Sequence, residues 1–369
     1  MKIAYITNTR FPSNRAHCSQ IAHMCQSFAD CGNEITLFVN DRKQDIQKSL
    51  IDFFGFNPNF SIVRVHFGFI FIPYSRIFFI LNNFLFFLFT LIKLNGKKFE
   101  LLYIRDEWLC FFFSFLFVSE KIVYESHEAK YNFAVRRLFK KNIRVVCISE
   151  GIYNEYIDRG YSKDKMMVAH DGIDQSFFNV QITKKEARDK LELPQDKKIV
   201  MYIGGFDKWK GVETFFEASK QITDIYFVAI GGREEQVDFY KKKYPTVHFV
   251  GSRPYSELKE NQQAADVLVI PNTATCKLSS LYTSPLKLFA HMSSGVPIVA
   301  SDIPSISLVT GSELVTLVEA DNVHALAGGI IDVIKKYRKK LRNAQRLIDK
   351  SKKYTWKNRA ESIVSFINN

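Results

Sequence analysis

The sequence contains no CxxC pair, no Asp-x-Asp triplet and no GxGxxG after any strand-like run. Its cysteines (Cys18, Cys25, Cys31, Cys110, Cys147 and Cys276) are scattered, several inside apolar runs, as buried reduced thiols are. That usage fits a cytoplasmic protein. Without Asp-x-Asp, no catalytic metal is expected. Without GxGxxG, a nicotinamide dehydrogenase is disfavoured, and no GxxxxGK[ST] is present to make a P-loop ATPase. A membrane-spanning segment is not expected either. The most apolar stretch, residues 77–92, is bracketed by Arg76 and Lys93 and interrupted by Asn82 and Asn83, whereas a spanning helix wants about 20 residues. It reads as a buried or interface-lying helix. Negative charge is short as well. With 38 acidic against 51 basic residues the chain carries +13, so an anionic partner is expected. Nucleic acid, anionic lipid head groups and nucleotide phosphates all qualify.

What is present is a repeated grammar: a short β-branched run, a polar turn, then a helical stretch. KIAYIT leads to Asn8, EITLFV to Asn40, LLYIR to Asp106, KIVYE to His127 and RVVCIS to Glu150. After a polar stretch with a Leu-Pro break, the pattern restarts. KIVMYI leads to Gly204-Gly205, IYFVAI to Gly231-Gly232, VHFV to Gly251, VLVI to Asn272 and PIVAS to Asp302. Such alternation predicts parallel sheets with helices on both faces, and its repetition predicts two doubly wound α/β domains. The expected division is 1–178 and 179–353, with a C-terminal helix over 354–369 packing back on the first domain. The opening MKIAYITNT reads as a strand and not as a secretory signal.

In open α/β sheets ligands sit beyond the carboxyl ends of the strands. Two turns there stand out. In YTSPLKLFAHMSSG, Ser284 suits a helix N-cap, Pro285 the first helical position, and Gly295 the stop. Lys287 is then a cation at the positive end of a helix, locally unfavourable unless an anion is shared there. In YIGGFDKWKGVE, Gly204 and Gly205 let backbone approach a ligand, and Lys210 stands at another expected helix start. Two such lysines in one domain suggest a diphosphate.

These stretches, with TRFPSNRAHCSQI, VYESHE, VCISEGI, HDGID, ADVLVIPN, GVPIVASDIP and YTWKNRA, resemble glycosyltransferase family 4 along nearly the whole chain. The resemblance implies the GT-B architecture: two facing Rossmann-like domains with parallel sheets, an N-terminal one for the acceptor and a C-terminal one for the nucleotide sugar. It implies retaining transfer of a sugar from a nucleotide-diphosphate donor to a glycan or lipid-linked acceptor. Bacterial surface polysaccharide synthesis is the expected setting, with neither cofactor nor metal and no nucleic-acid partner. Gly204, Gly205, Lys210 and Lys287, with the backbone of Ser284, Pro285 and Leu286, would hold the diphosphate. The loop around Arg253 would hold the base, and His127 would sit beside the transferred sugar. His17 and Arg15, in the first polar loop, are candidates for the acceptor side.

Three positions depart from the family pattern. Its paired glutamates are replaced by Tyr282 and Ala290, and Gly205 stands where an arginine is common. Alanine at 290 leaves an expected gap into which a ribose-binding glutamate would fit, one turn after Lys287. These losses motivate an alternative reading as a binding or scaffold protein with a degenerate donor site; a nucleotide-sugar epimerase is a further alternative. Finally, KYNFAVRRLFKKNIR places Arg136, Arg137, Lys140, Lys141 and Arg144 at helical spacing, as on a helix resting on anionic lipid, beside the Phe-rich segment. A protein of the cytoplasm, peripheral on the inner face of the cell membrane, is the expectation.

Overall fold

The computed structural model describes residues 1–13, 16–42, 51, 54–68 and 75–369. The chain forms two compact units, Met1–Asp171 with Trp356–Asn369, and Gly172–Thr355. The first boundary lies earlier than the expected 178. Ile173 and Phe177 are buried in the core of the second unit, and the Ile173 amide donates to the Tyr354 carbonyl at 2.9 Å, binding both ends of the crossing to that unit.

The described residues of the first unit contain seven strands: β1 (Lys2–Arg10), β2 (Glu34–Asn40), β3 (Ser61–Val65), β4 (Leu101–Ile104), β5 (Ile122–Ser126), β6 (Arg144–Cys147) and β7 (Met166–Val168). All pair in parallel, in the order β3-β2-β1-β4-β5-β6-β7. The second unit contains six: β8 (Ile199–Ile203), β9 (Tyr226–Ile230), β10 (Val247–Gly251), β11 (Val267–Ile270), β12 (Ile298–Ser301) and β13 (Thr316–Val318). These are also parallel, in the order β10-β9-β8-β11-β12-β13. Both units are therefore Rossmann-like.

The unbroken apolar runs follow from burial on both faces, as a parallel sheet between helix layers requires. Along β8, Ile199, Met201 and Ile203 enter one core and Val200 and Tyr202 the other; β9 alternates in the same way. In the second core Phe206 meets Phe216 and Tyr240 edge to face, with Phe206–Phe216 centroids 5.5 Å apart. Each such ring contributes roughly 1.5–3 kcal/mol by leaving water. Strand order reverses at β1/β4 in the first unit and at β8/β11 in the second. At such switch points crossovers leave in opposite directions and open a crevice.

The C-terminal helix Trp356–Asn368 belongs to the first unit, where the Trp356 indole stacks on His23, 5.7 Å between centroids. The Phe-rich helix runs Arg76–Leu94, longer than the sequence suggested, because Lys93 and Leu94 complete its last turn. Conversely, the basic helix is short, Phe133–Lys140; Asn142 takes a positive φ of 52° and ends it, so Arg144 starts β6 instead.

Candidate active site

In the second unit the turns after β8 and β11 are neighbours because their strands are. Gly211 closes the first turn with φ 62°, and a Cβ there would lie 1.8 Å from the Pro271 carbonyl oxygen, so only glycine lets the two turns approach. The helix begins after it, at Val212–Ser219, and Lys210 belongs to the short turn Lys208–Lys210. The expected helix-start lysine is thus one turn early. Its Nζ bonds Asp207 at 2.8 Å, and Lys210 holds the Asp207 carboxyl below the usual carboxylate range. A side chain at Gly205 would begin 2.8 Å from Lys210 Nζ and 3.2 Å from Asp207 Oδ2. The Lys210–Asp207 pair therefore fills the space that an arginine at 205 would enter.

The second turn also shifts by one residue. Pro285, not Ser284, is the N-cap of the helix Leu286–Met292, because the Pro285 carbonyl accepts its first bond, from the Leu288 amide at 2.8 Å. Lys287 is only half-buried along its stem, yet its Nζ has no solvent contact and no hydrogen-bond partner. It rests 4.8 Å from the centre of the Tyr202 ring, whose hydroxyl donates to the Gly205 carbonyl at 2.7 Å. Burial first, and Lys210 second, push the Lys287 pKa down to about 7. Two further buried groups on the β11–β12 connection lack a partner: both amide atoms of Asn272, and Ser279 Oγ. Sequence reasoning stopped at Asn272 as a strand end and missed Ser279. For Asn272, a polar side chain one proline beyond a fully apolar strand was the available signal.

Ala290 offers no gap. It is fully buried in the core with Leu288, Phe289 and Met292, and a glutamate there would enter apolar packing. Tyr282 ends a π-helical turn, Leu278–Tyr282. His291, also fully buried, sets Nδ1 3.2 Å from Gln262 Oε1. Burial and Lys287 push its pKa down to about 3. Arg253 stands exposed in the loop after β10.

In the first unit His127 follows β5. Its Nε2 lies 2.7 Å from Glu125 Oε1 and its Nδ1 3.3 Å from Arg105 Nη2. A neutral ring that donates from Nε2 and accepts at Nδ1 satisfies both contacts. Burial and Arg105 outweigh the Glu125 bond and lower the His127 pKa to about 4. Glu125, fully buried in mid-strand, also accepts from Tyr103, from Gln20 Nε2 at 3.3 Å and from Arg359 Nη2 at 3.0 Å. Arg359, His127 and Arg105 together overcome burial and hold its carboxyl well below the usual range. Gln20 continues the network to Asp171 at 2.7 Å, whose pKa burial raises to about 6. Arg105 Nη1 also lies 3.7 Å from Glu125 Oε1. Asp106 accepts from the Asn8 amide at 3.1 Å and the Thr7 hydroxyl at 3.3 Å. His17 lies half-buried in the first turn of the helix Ala16–Asp30. Arg15 lies outside the described residues. Sequence reasoning missed Arg359, although it occupies the apolar stripe between Trp356 and Ile363, where a cation signals a buried anion.

Residues 183–354, nearly all of the second unit, match the family model of the glycosyl transferases, group 1. That unit is similar to the group 1 glycosyltransferase domain. Among curated relatives, the putative teichuronic acid biosynthesis glycosyltransferase TuaH of Bacillus subtilis is 23% identical over 192 residues, 50% of this chain and 47% of that protein. The chain spans about half the length of the curated relatives it matches. Solved structures align end to end. Sucrose-phosphate synthase from Thermosynechococcus elongatus superposes with a TM-score of 0.80 at 18% identity, covering 100% of this chain and 98% of that one. Anabaena HepE, in complex with UDP-glucose, gives 0.75 at 14%, covering 100% and 99%. The two units thus carry, in one chain, the GT-B fold of these structures.

Proposed function

We propose that the chain is a retaining glycosyltransferase of family 4 that moves a sugar from a nucleotide-diphosphate donor to a glycan or lipid-linked acceptor. The single observation that carries this reading is the Lys287 ammonium, out of water and unpaired beside a second cation. A diphosphate would supply the missing charge to Lys287 and compete with Asp207 for Lys210. Asn272 and Ser279 would meet its oxygens or the sugar, and Gly204 and Gly205 would let backbone approach. Arg253 would border the base.

As the leaving group departs with its electron pair, negative charge grows on the donor's phosphate, where Lys210 and Lys287 stabilise it. That arrangement needs neither metal nor protein nucleophile, and supports front-face displacement with retention. His127 would act as a positioning residue for the sugar, since both its nitrogens are engaged and its low pKa keeps the ring neutral, with no imidazolium to serve as an acid at neutral pH. The teichuronic acid relative supports a place in bacterial surface polysaccharide synthesis, on the cytoplasmic side of the membrane.

The test is calorimetric titration with UDP, GDP and ADP, followed by incubation with their sugars in EDTA. Release of nucleoside diphosphate, and a product with the donor's anomeric configuration by NMR, is the expected result. Failure of all three nucleotides to bind, with Lys287→Met indifferent to each, overturns the reading.

A further inference from the structure

The helix Arg76–Leu94 is built inside out. Its polar side chains Asn82, Asn83 and Thr90 are turned into the protein, at most 5% exposed, while Ile77 and Ile92 are 76% and 68% exposed. Asn83 explains the orientation: its Oδ1 accepts from Asn8 Nδ2 at 3.3 Å, tying the helix to the end of β1. A soluble surface helix presents the opposite pattern.

The apolar face continues across two more elements. Phe84 packs on Phe112 at 5.2 Å, Phe112 on Phe111 at 5.4 Å, and Phe111 on both Phe115 and Phe133, at 5.1 and 5.6 Å. Phe115, Leu116 and Phe133 are themselves exposed. The Arg137 guanidinium lies 3.5 Å over the Phe115 ring and its Nε donates to Ser114 Oγ, which locks the basic helix to this surface. A contiguous apolar patch of this kind is unusual on a freestanding monomer.

Charge decides what covers it. Lys93, Lys97 and Lys98 at one end and Arg136, Lys140 and Lys141 at the other are exposed and make no ion pair among the described residues. We infer that this flank of the first unit docks on an anionic lipid bilayer, with residues 77–92 and 115–118 entering the interface and the lysines and arginines meeting the head groups. A second copy of the chain would bring the same cations against each other. Spanning is opposed by the side that packs on the protein, where Phe86 and Phe87 are buried and Phe87 meets Phe113 at 4.9 Å. Docking here deepens the proposed transfer, and rests on it in one respect: the acceptor is the lipid-linked kind, presented at that surface.

The test is co-sedimentation of the full chain with phosphatidylcholine vesicles, with and without a minority of phosphatidylglycerol. Wild type should pellet with the anionic vesicles and barely with the neutral ones. Ile77→Ser with Ile92→Ser should weaken partitioning about a hundredfold, two buried aliphatic side chains' worth. Lys140→Glu with Lys141→Glu should weaken it at least about tenfold and remove the preference for anionic lipid. Both variants should keep wild-type melting and wild-type UDP or GDP binding in solution, so vesicle binding can fail while the donor reading stands, and the reverse. The inference is overturned if wild type stays in the supernatant, if the variants pellet like wild type, or if only detergent releases the protein. It is also overturned if the serine variant abolishes a dimer seen by analytical ultracentrifugation.

Discussion

Glu125 in the first unit and Lys287 in the second each hide a charge from water, but their surroundings differ. Glu125 has Arg359, Arg105, His127, Tyr103 and Gln20 arranged around its two oxygens. Lys287 has one aromatic face and the repulsion of Lys210. A buried charge with every lone pair answered is framework; its environment was completed when the chain folded. One left unanswered raises the free energy of the empty protein and lowers it again when a counter-charge arrives. The contrast separates a network that holds the first unit's shape from the proposed donor site in the second.

The largest expected break is Glu125→Gln. It keeps the shape but strands two guanidinium groups, Arg105 and Arg359, in a buried space, and should cost about 3–5 kcal/mol in urea unfolding. The Arg359 bond also fixes the C-terminal helix, so its loss should expose Trp356 and shift that residue's fluorescence at low denaturant. A loss under about 1 kcal/mol would place Glu125 among ordinary surface carboxylates.

Lys287→Met should act in the opposite sense on stability and strongly on binding. Removing an unpaired ammonium from an apolar pocket should leave the melting temperature unchanged or raised. Nucleoside diphosphate affinity should fall by about 1.5–3 kcal/mol, the scale of a hydrogen bond to a charged group. If binding survives and stability drops, Lys287 is packing, not a phosphate ligand.

The same lysine sets a pH dependence. Its folded pKa, about 7, lies below the lysine value of 10.5 in the unfolded chain. The unfolded chain therefore holds more protons between those values, and stability should rise with pH across that window; below pH 7 the penalty is fully present. Binding runs the other way, because the diphosphate selects the charged form. Affinity should fall as pH rises past 7, and titration near pH 7 in two buffers of different ionisation enthalpy should show proton uptake. Subtracting the Lys287→Met profile removes the nucleotide's own titration. Parallel profiles would refute the assignment.

Much of this contrast was legible before any coordinates. The ten strong apolar runs are ten of the strands, because a run buried on both faces has no polar alternation to blur it. The three unforeseen strands, β3, β7 and β13, are edges of three to five residues, and half-exposed edges carry mixed side chains. His127 and Lys210 were singled out by their place after strands, and Lys287 by its place in the first turn of a helix. What surrounds them was not: Arg359 meets Glu125 across 234 positions of chain, a closure no local pattern encodes. Ala290 misled because a missing glutamate looks like space in one dimension, while in three dimensions Leu288, Phe289 and Met292 have closed around it.

The smallest and sharpest test concerns Asp207. Among the described residues it is the one anion bonded to either lysine of the proposed donor site, and a diphosphate bound at Lys210 would have to displace it. The pair is partly exposed, with side chains 23% and 49% accessible, so its strength is modest, about 0.5–1 kcal/mol. Asp207→Asn keeps the turn and frees Lys210. It also deepens the local positive charge, so Lys287 should titrate lower still in the empty protein. The two effects pull apart with pH. Near pH 6, where Lys287 is charged in either protein, nucleoside diphosphate binding should tighten about two- to fivefold. Near pH 8 the gain should shrink, because the variant must first protonate Lys287. Calorimetry at both values reads the difference. Weaker binding at pH 6 would mean that Asp207 holds Lys210 in its productive position, and that the pair belongs with the satisfied networks of the first unit.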